Sequence, residues 1–150
     1  MRGYIYVGPV YAIEEYQDCL CPWCIADGSA NVKLHASFTD ESGVGGYGAW
    51  DSVPEEVTDE VAHRTPGFSG WQQEQWWTHC SDAGEFLGSA GQKELETLGP
   101  EAVTAIQQNA GLVGAEWERL LRALKKDGSP TAYVFRCKHC GTHGGYWDSH

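Results

Sequence analysis

Two Cys-x-x-Cys pairs are the residues of this sequence whose type and spacing best suit chemistry: Cys21/Cys24, the N-terminal pair, and Cys137/Cys140, the C-terminal pair. Two thiolates separated by a tight turn can reach one tetrahedral zinc ion at about 2.3 Å. The C-terminal pair is followed by Gly141 and flanked by strand-like residues, which is typical of a zinc knuckle. We therefore expect structural zinc.

Structural zinc takes four ligands, so each pair needs two more. In one arrangement the two pairs join as a four-cysteine zinc ribbon with a helical insertion between them. In another, the N-terminal pair binds one ion with Cys80 and either His79 or Cys19, and the C-terminal pair is left with two ligands. His79 and Cys80 are adjacent, and on a helix their side chains would point about 100° apart. The second arrangement therefore requires a helix end or a loop at these residues.

Redox chemistry is the alternative interpretation of the N-terminal pair. Cys-Pro-Trp-Cys is also the form of the dithiol in glutaredoxin-like oxidoreductases, where it follows a buried apolar strand. Here the preceding residues 14–18 are mostly polar or acidic. A zinc deaminase is excluded, because no His-x-Glu precedes a Pro-Cys-x-x-Cys. Zinc hydrolysis with Glu74 as the base and an open coordination position is a further alternative, although the sequence has no His-Glu-x-x-His. We expect a binding protein rather than an enzyme.

The charge balance bears on the kind of partner. Ten Lys and Arg against 21 Asp and Glu give a net charge of −11, which repels nucleic-acid phosphates and attracts a basic protein. No run approaches the roughly 20 apolar residues of a membrane span, and residues 1–7 are too short an apolar stretch for a signal peptide. We therefore expect a cytoplasmic protein with reduced thiols, a basic protein partner, and no nucleic-acid or membrane partner.

Residues 63–77 combine tryptophan with amide side chains, which is unusual. Trp and Arg anchor many protein interfaces, so this segment is a candidate partner-binding surface. Its candidate contact residues are Arg64, Trp71, Gln72, Gln73, Glu74 and Trp76. In the alternative interpretation, the Trp side chains pack around a metal site and the Gln side chains bond to backbone groups.

Periodicity and turn residues predict an α+β fold in one domain, 1–150, with β segments at the two ends, of zinc-knuckle or ribbon character, and helices in the middle. Residues 40–51 are Gly-rich and predict a surface loop. The first half of the chain predicts a strand at Tyr4–Val7, a short helix capped by Asp27 or Ser29 and running toward His35, and a helix opened by a capping box at Ser52–Glu55 and ending before Pro66. Helices are predicted over Gln92–Lys126, broken at Gly99-Pro100 and loosened at Gly111 and Gly114, with an apolar face of Trp117, Leu120, Leu121 and Leu124. A strand at Thr131–Phe135 and a second short strand around Tyr146-Trp147 are predicted at the C-terminal end.

Several segments together resemble the CbrC family of bacterial proteins, and the resemblance covers nearly the whole chain. The segments are Gly3-Tyr4-Ile5-Tyr6 through Pro9, Cys21-Pro22-Trp23-Cys24-Ile25-Ala26-Asp27-Gly28, residues 64–74, His79-Cys80 and Phe135-Arg136-Cys137-Lys138-His139-Cys140-Gly141. The resemblance implies a link to tolerance of colicin E2, a nuclease toxin, and hence a tolerance or immunity-like factor whose basic partner is a toxin. It also keeps the N-terminal pair together with Cys80, which favours the second ligand arrangement.

The sequence departs from the family pattern at two points. Family members usually carry another Cys-x-x-Cys-Gly just before the Gly-Tyr-Ile-Tyr segment, and a Cys where Gly84 stands here. A site built from a first and a last knuckle would therefore lack the partners of the C-terminal pair. A site built from the middle cysteines would lack one ligand.

Overall fold

The computed structural model describes residues 4–12, 14 and 20–150. Helices combine with small antiparallel sheets, which confirms the predicted α+β class. The chain forms two compact units, Met1–Ala83 and Gly84–His150. That residues 1–150 act as one domain stays a prediction. Within the described part of the chain, no helix is both long enough and apolar enough to cross a membrane.

The first unit is built from short helices and one small hairpin. Its elements are α1 (Pro22–Ala26), α2 (Ser29–Leu34), a 3₁₀ helix (Glu41–Gly43), α3 (Glu55–Arg64), β1 (Thr78–His79) and β2 (Asp82–Ala83). β1 and β2 pair antiparallel. A core cluster is formed by Tyr6, Ile25, Ala30, Ala36 and Phe38.

The hydroxyl of Tyr6 connects two loops of this unit. It donates to the carbonyl of Pro9 at 2.8 Å and accepts from the N–H of Gly67 at 3.0 Å. A side chain cannot replace the hydrogen of Gly67, because its Cβ would lie 2.2 Å from the carbonyl oxygen of Phe38. The Pro-Gly turn after α3 therefore lies against the backbone of Phe38 and is hydrogen-bonded to the hydroxyl of Tyr6.

Two local predictions for this unit are wrong. The expected strand at Tyr4–Val7 is reduced, among the described residues, to one antiparallel bridge between Tyr6 and Leu20. The expected capping box does not form: Pro54, at φ −60° and ψ 154°, occupies the N-cap of α3 without a side-chain hydrogen bond. Proline has its φ fixed near this value, so it ends the extended segment just before the helix.

Other predictions for this unit are confirmed, with one refinement and except for the N-cap of α2. α2 ends at Leu34, next to His35 as predicted. Neither Asp27 nor Ser29 is its N-cap, because Gly28 holds that position without a side-chain cap, although Asp27 accepts a hydrogen bond from the N–H of Ser29 at 2.8 Å. α3 ends before Pro66, as expected. The Gly-rich loop of residues 40–51 begins with the 3₁₀ helix, because the carboxylate of Asp40 accepts from the N–H of Ser42 at 2.9 Å.

The second unit is a three-stranded antiparallel sheet with three helices. Its elements are β3 (Glu85–Ala90), α4 (Gln92–Leu98), α5 (Pro100–Ala110), α6 (Gly114–Ala123), β4 (Thr131–Arg136) and β5 (His143–Asp148), and the strand order is β3-β4-β5. The helix breaks at Gly99-Pro100 and around Gly111 and Gly114 are where the sequence predicted them. β3 was not predicted, and a register shift between Phe86 and Gly88 interrupts it.

The core of the second unit lies between the sheet and its helices. Its buried residues are Ala90, Leu95, Ala102, Ile106, Trp117, Leu124, Ala132 and Val134, and the partly buried Leu120 and Leu121 pack against them, which confirms the predicted face of α6. Inside the sheet, the buried carboxylate of Asp148 accepts a hydrogen bond from the hydroxyl of Tyr133 at 2.8 Å.

Gly145 provides a test of how closely β5 approaches β4. A Cβ built at Gly145, where φ is 150°, would lie 2.0 Å from the carbonyl oxygen of Tyr133. Gly88 also has a positive φ of 130°, but its Cβ would meet nothing within 4 Å. We expect Gly145→Ala to lower the free energy of unfolding by about 1–3 kcal/mol more than Gly88→Ala, because overpacking adds to the backbone strain that both variants share. Urea unfolding measures both, and equal losses would contradict the close approach.

Candidate metal centre

The C-terminal pair lies in the turn that joins β4 to β5. The N–H of Cys137 donates to the carbonyl of Thr142 at 2.8 Å, and the N–H of Gly141 donates to the carbonyl of Cys137 at 3.0 Å. Gly141 has a φ of 76°, which a glycine adopts without a steric penalty. The N–H of His139 points at the sulfur of Cys137, 3.4 Å away. The predicted strand, Cys-x-x-Cys-Gly and strand arrangement is confirmed.

His79 and Cys80 lie in the hairpin of β1 and β2. Thr78 pairs with Ala83 and His79 pairs with Asp82, so Cys80 and Ser81 form a two-residue turn. Both have positive φ, 54° and 56°, as a type I′ hairpin turn requires. This turn supplies the loop that the sequence required for the two adjacent donors. It leaves the side chain of Cys80 exposed.

The imidazole of His79 is held by its neighbours. Its ring stacks on the buried ring of Trp77, with centroids 5.2 Å apart and planes 13° apart. Its Nδ1 lies 3.3 Å from the sulfur of Cys80. Trp77 therefore fits the alternative interpretation of the Trp-rich segment, in which Trp side chains pack around a metal site.

The candidate ligand atoms of His79, Cys80, Cys137 and Cys140 all lie within 4.8 Å of one another. A tetrahedral ion with metal–sulfur bonds of about 2.3 Å places two sulfurs about 3.8 Å apart, so these separations suit a single ion. Three cysteines and one histidine are a usual donor set for a structural metal site. This group can hold a metal.

Gly84 alone separates β2 from β3, and Glu85 at the start of β3 pairs with Arg136, which directly precedes Cys137.

The N-terminal pair has a different environment. Cys21 is the N-cap of α1, and its sulfur lies 2.8 Å from that of Cys24 in a hydrogen bond between the two thiols. The N–H of Cys24 donates to the sulfur of Cys21 at 3.4 Å. The hydrogen bond to Cys21, followed by burial, raises the pKa of the Cys24 thiol.

The group of four matches neither ligand arrangement considered from the sequence. It combines the C-terminal pair with His79 and Cys80. The pairing of β3 with β4 was also not visible in the sequence. The N-terminal pair is not part of it, and a metal role for that pair stays a prediction. Cys19, the other ligand considered, lies outside the described residues.

Trp76 is the least exposed residue of the predicted partner-binding segment. It is only 4% exposed and its ring packs 5.9 Å from that of Phe68, so it belongs to the interior, and a partner role for it stays a prediction. Trp71 is 49% exposed. Arg64, Gln72 and Gln73 are exposed as well, and a partner role for these side chains stays a prediction.

Gln73 and Glu74 make polar contacts within the first unit. The amide of Gln73 donates to the carboxylate of Asp40 at 2.8 Å, and the hydroxyl of Tyr11 donates to Glu74 at 3.2 Å. Burial and then the charge of Glu74 raise the pKa of Tyr11 to about 12. These contacts fix the loop that presents Trp71.

Comparison with known proteins gives the family. The model of an uncharacterised protein family, UPF0167, matches residues 1–149. UPF0167 proteins of Mycobacterium bovis and Mycobacterium tuberculosis are each 47% identical over 152 residues, covering 98% of this chain and 78% of theirs. A UPF0167 protein of Pseudomonas aeruginosa is 42% identical over 142 residues, covering 93% and 76%. No solved structure matches this chain. The chain therefore belongs to the UPF0167 family.

Proposed function

We propose that this chain is a zinc-binding protein whose metal is structural, and that it acts by binding another protein. The observation that carries the metal assignment is the group of His79, Cys80, Cys137 and Cys140. Soft thiolate donors with one imidazole select zinc over magnesium or calcium, which take oxygen ligands. Four protein donors also fill a tetrahedral shell and leave no open position for a catalytic water.

The surroundings of the donors support a structural role. Cys137 is 2% exposed, so its sulfur belongs to the interior of the second unit. The N–H of His139 points at this sulfur and disperses its charge. Binding energy at such a site is folding energy, about 10 kcal/mol or more in zinc-finger peptides. The ion would therefore stabilise the hairpin and the knuckle.

The proposed mode of action uses the acidic surface. α3 exposes Glu55, Glu56, Asp59 and Glu60. With a net charge of −11, the chain would steer a basic protein toward itself, and the exposed ring of Trp71 offers an apolar anchor. The resemblance to the CbrC family suggests a toxin as that partner, in a tolerance or immunity-like role in the cytoplasm.

Metal content tests the first part of this proposal. We expect the purified chain to carry one zinc ion, and Cys80→Ser and Cys137→Ser each to lose most of it and to unfold at lower temperature, because each removes one of four donors. Cys21→Ser is the matched control and should keep its zinc. Elemental analysis and thermal unfolding give both readouts. A well-folded chain without zinc, or equal loss of zinc in the control, would show that the assignment is wrong.

Salt dependence tests the second part. The probe is the nuclease domain of colicin E2, the toxin that the resemblance names. We expect its association rate with the chain to fall about tenfold or more between 0.01 M and 0.1 M salt, because the Debye length shrinks from about 30 Å to about 10 Å. Replacing Glu55, Glu56 and Glu60 by Gln should reduce the rate at low salt. Stopped-flow fluorescence measures it.

The anchor has its own control in the same experiment. Trp71→Ala should raise the dissociation rate and leave the association rate nearly unchanged, since a buried aromatic anchor acts on dissociation. Val113→Ala, which shortens an apolar side chain that is 78% exposed on the second unit, should change neither rate. Absence of a complex, or association that ignores salt, would contradict the proposed partner class.

A further inference from the structure

The sulfur atoms of the N-terminal pair are closer together than a shared metal ion would hold them. They lie 2.8 Å apart. Two sulfurs on one tetrahedral zinc ion are about 3.8 Å apart, whereas a disulfide joins them at about 2.0 Å. Metal binding would require the pair to open by about 1 Å, and disulfide formation would require it to close by about 0.8 Å.

The backbone around the pair also permits a disulfide. The N–H of Cys24 donates to the carbonyl of Cys21 at 3.1 Å, which closes a four-residue turn. The Cα atoms at the ends of such a turn are less than about 7 Å apart, and disulfides span about 4.4–6.8 Å. Pro22 fixes the backbone at the first helical position of α1, so little freedom is lost when the ring closes.

The two thiols are not equivalent. The N–H of Cys24 points at the sulfur of Cys21 at 3.4 Å, and a hydrogen bond of this kind stabilises a thiolate on Cys21. Cys24 packs instead against the core cluster of the first unit. Cys21 is therefore the sulfur suited to attack, and Cys24 the one suited to resolve.

We propose that Cys21 and Cys24 form a thiol–disulfide exchange site that accepts low-molecular-weight disulfides of the glutathione type. Nothing in this inference depends on the metal group of His79, Cys80, Cys137 and Cys140 or on the proposed partner.

The exchange balances in two steps. The thiolate of Cys21 attacks one sulfur of the disulfide RSSR, so a Cys21–SR bond forms, the S–S bond of RSSR breaks and RS⁻ leaves. Cys24 then gives up its proton, and its thiolate attacks the sulfur of Cys21, which forms the Cys21–Cys24 bond and releases a second RS⁻. The protons of the two cysteines end on the two RSH products. The chain loses two electrons and RSSR gains two.

The test uses the full chain with Cys19→Ser, so that the tryptic peptide of residues 3–33 carries only the two cysteines of interest. The reduced protein is equilibrated in a series of mixtures of reduced and oxidised glutathione, alkylated, digested and weighed by mass spectrometry. We expect this peptide to lose both alkylation sites together in one two-electron transition. Adding Cys24→Ser should stop the reaction after the first step and leave one glutathione on Cys21. The chain with native Cys19 should form the same Cys21–Cys24 bond.

Three outcomes would overturn the inference. The first is that both thiols stay alkylatable in oxidised glutathione. The second is that native chain pairs Cys19 with either of them, and the third is that they become alkylatable only after chelation, which would identify them as metal ligands. Zinc measured in the same samples separates this inference from the proposed function. Disulfide formation at the N-terminal pair should leave the zinc content unchanged. Zinc with no exchange would overturn only the exchange site, and exchange with no zinc only the metal assignment.

Discussion

The pairing of β4 with a strand on each side is the interaction on which the candidate metal group depends. Thr131 to Phe135 of this strand are all buried, so its backbone groups must find their partners within the sheet. One edge of β4 pairs with β5 and closes the knuckle that carries Cys137 and Cys140, and the other edge pairs with β3. The ion pair of Arg136 and Glu85 at 2.8 Å adds little, because both side chains are about half exposed. Backbone pairing and burial therefore hold the knuckle that carries Cys137 and Cys140.

The hairpin turn that carries the donor Cys80 is held in a conformation that proteins usually reserve for glycine or asparagine. Cys80 and Ser81 both have positive φ, and positive φ at a residue with a side chain costs roughly 1–2 kcal/mol. Such strain persists where the surroundings impose it, and it often marks a functional residue. Here the short strands β1 and β2 impose it, and it leaves the sulfur of Cys80 3.3 Å from Nδ1 of His79. A metal bond to both atoms would offset a strain of this size many times over.

The sequence predicted those elements whose ends are marked by glycine and proline. Gly99-Pro100 and Gly111 to Gly114 mark the helix ends correctly, and the Cys-x-x-Cys-Gly turn between two strands was found for the same reason. The ligand group could not be predicted, because its members lie far apart in the sequence and no local pattern joins them. β3 is hard to recognise in the sequence because its register is irregular at Gly88. The hairpin of β1 and β2 lacks the Asn-Gly that is typical of a type I′ turn. The burial of Trp76 is likewise a result of tertiary packing that no local pattern reveals.

Two pairs with identical spacing differ in geometry because their backbones differ. In the knuckle, the chain turns between two strands, the sulfur of Cys137 lies beside the N–H of His139 and the sulfur of Cys140 lies 3.3 Å from the hydroxyl of Thr142. At the start of α1, the first helical turn directs both sulfurs of the N-terminal pair at each other. In the first arrangement the two sulfurs lie beside different polar groups, whereas in the second they lie beside each other. Spacing alone identifies a dithiol, and the backbone between its cysteines decides how its sulfurs are directed.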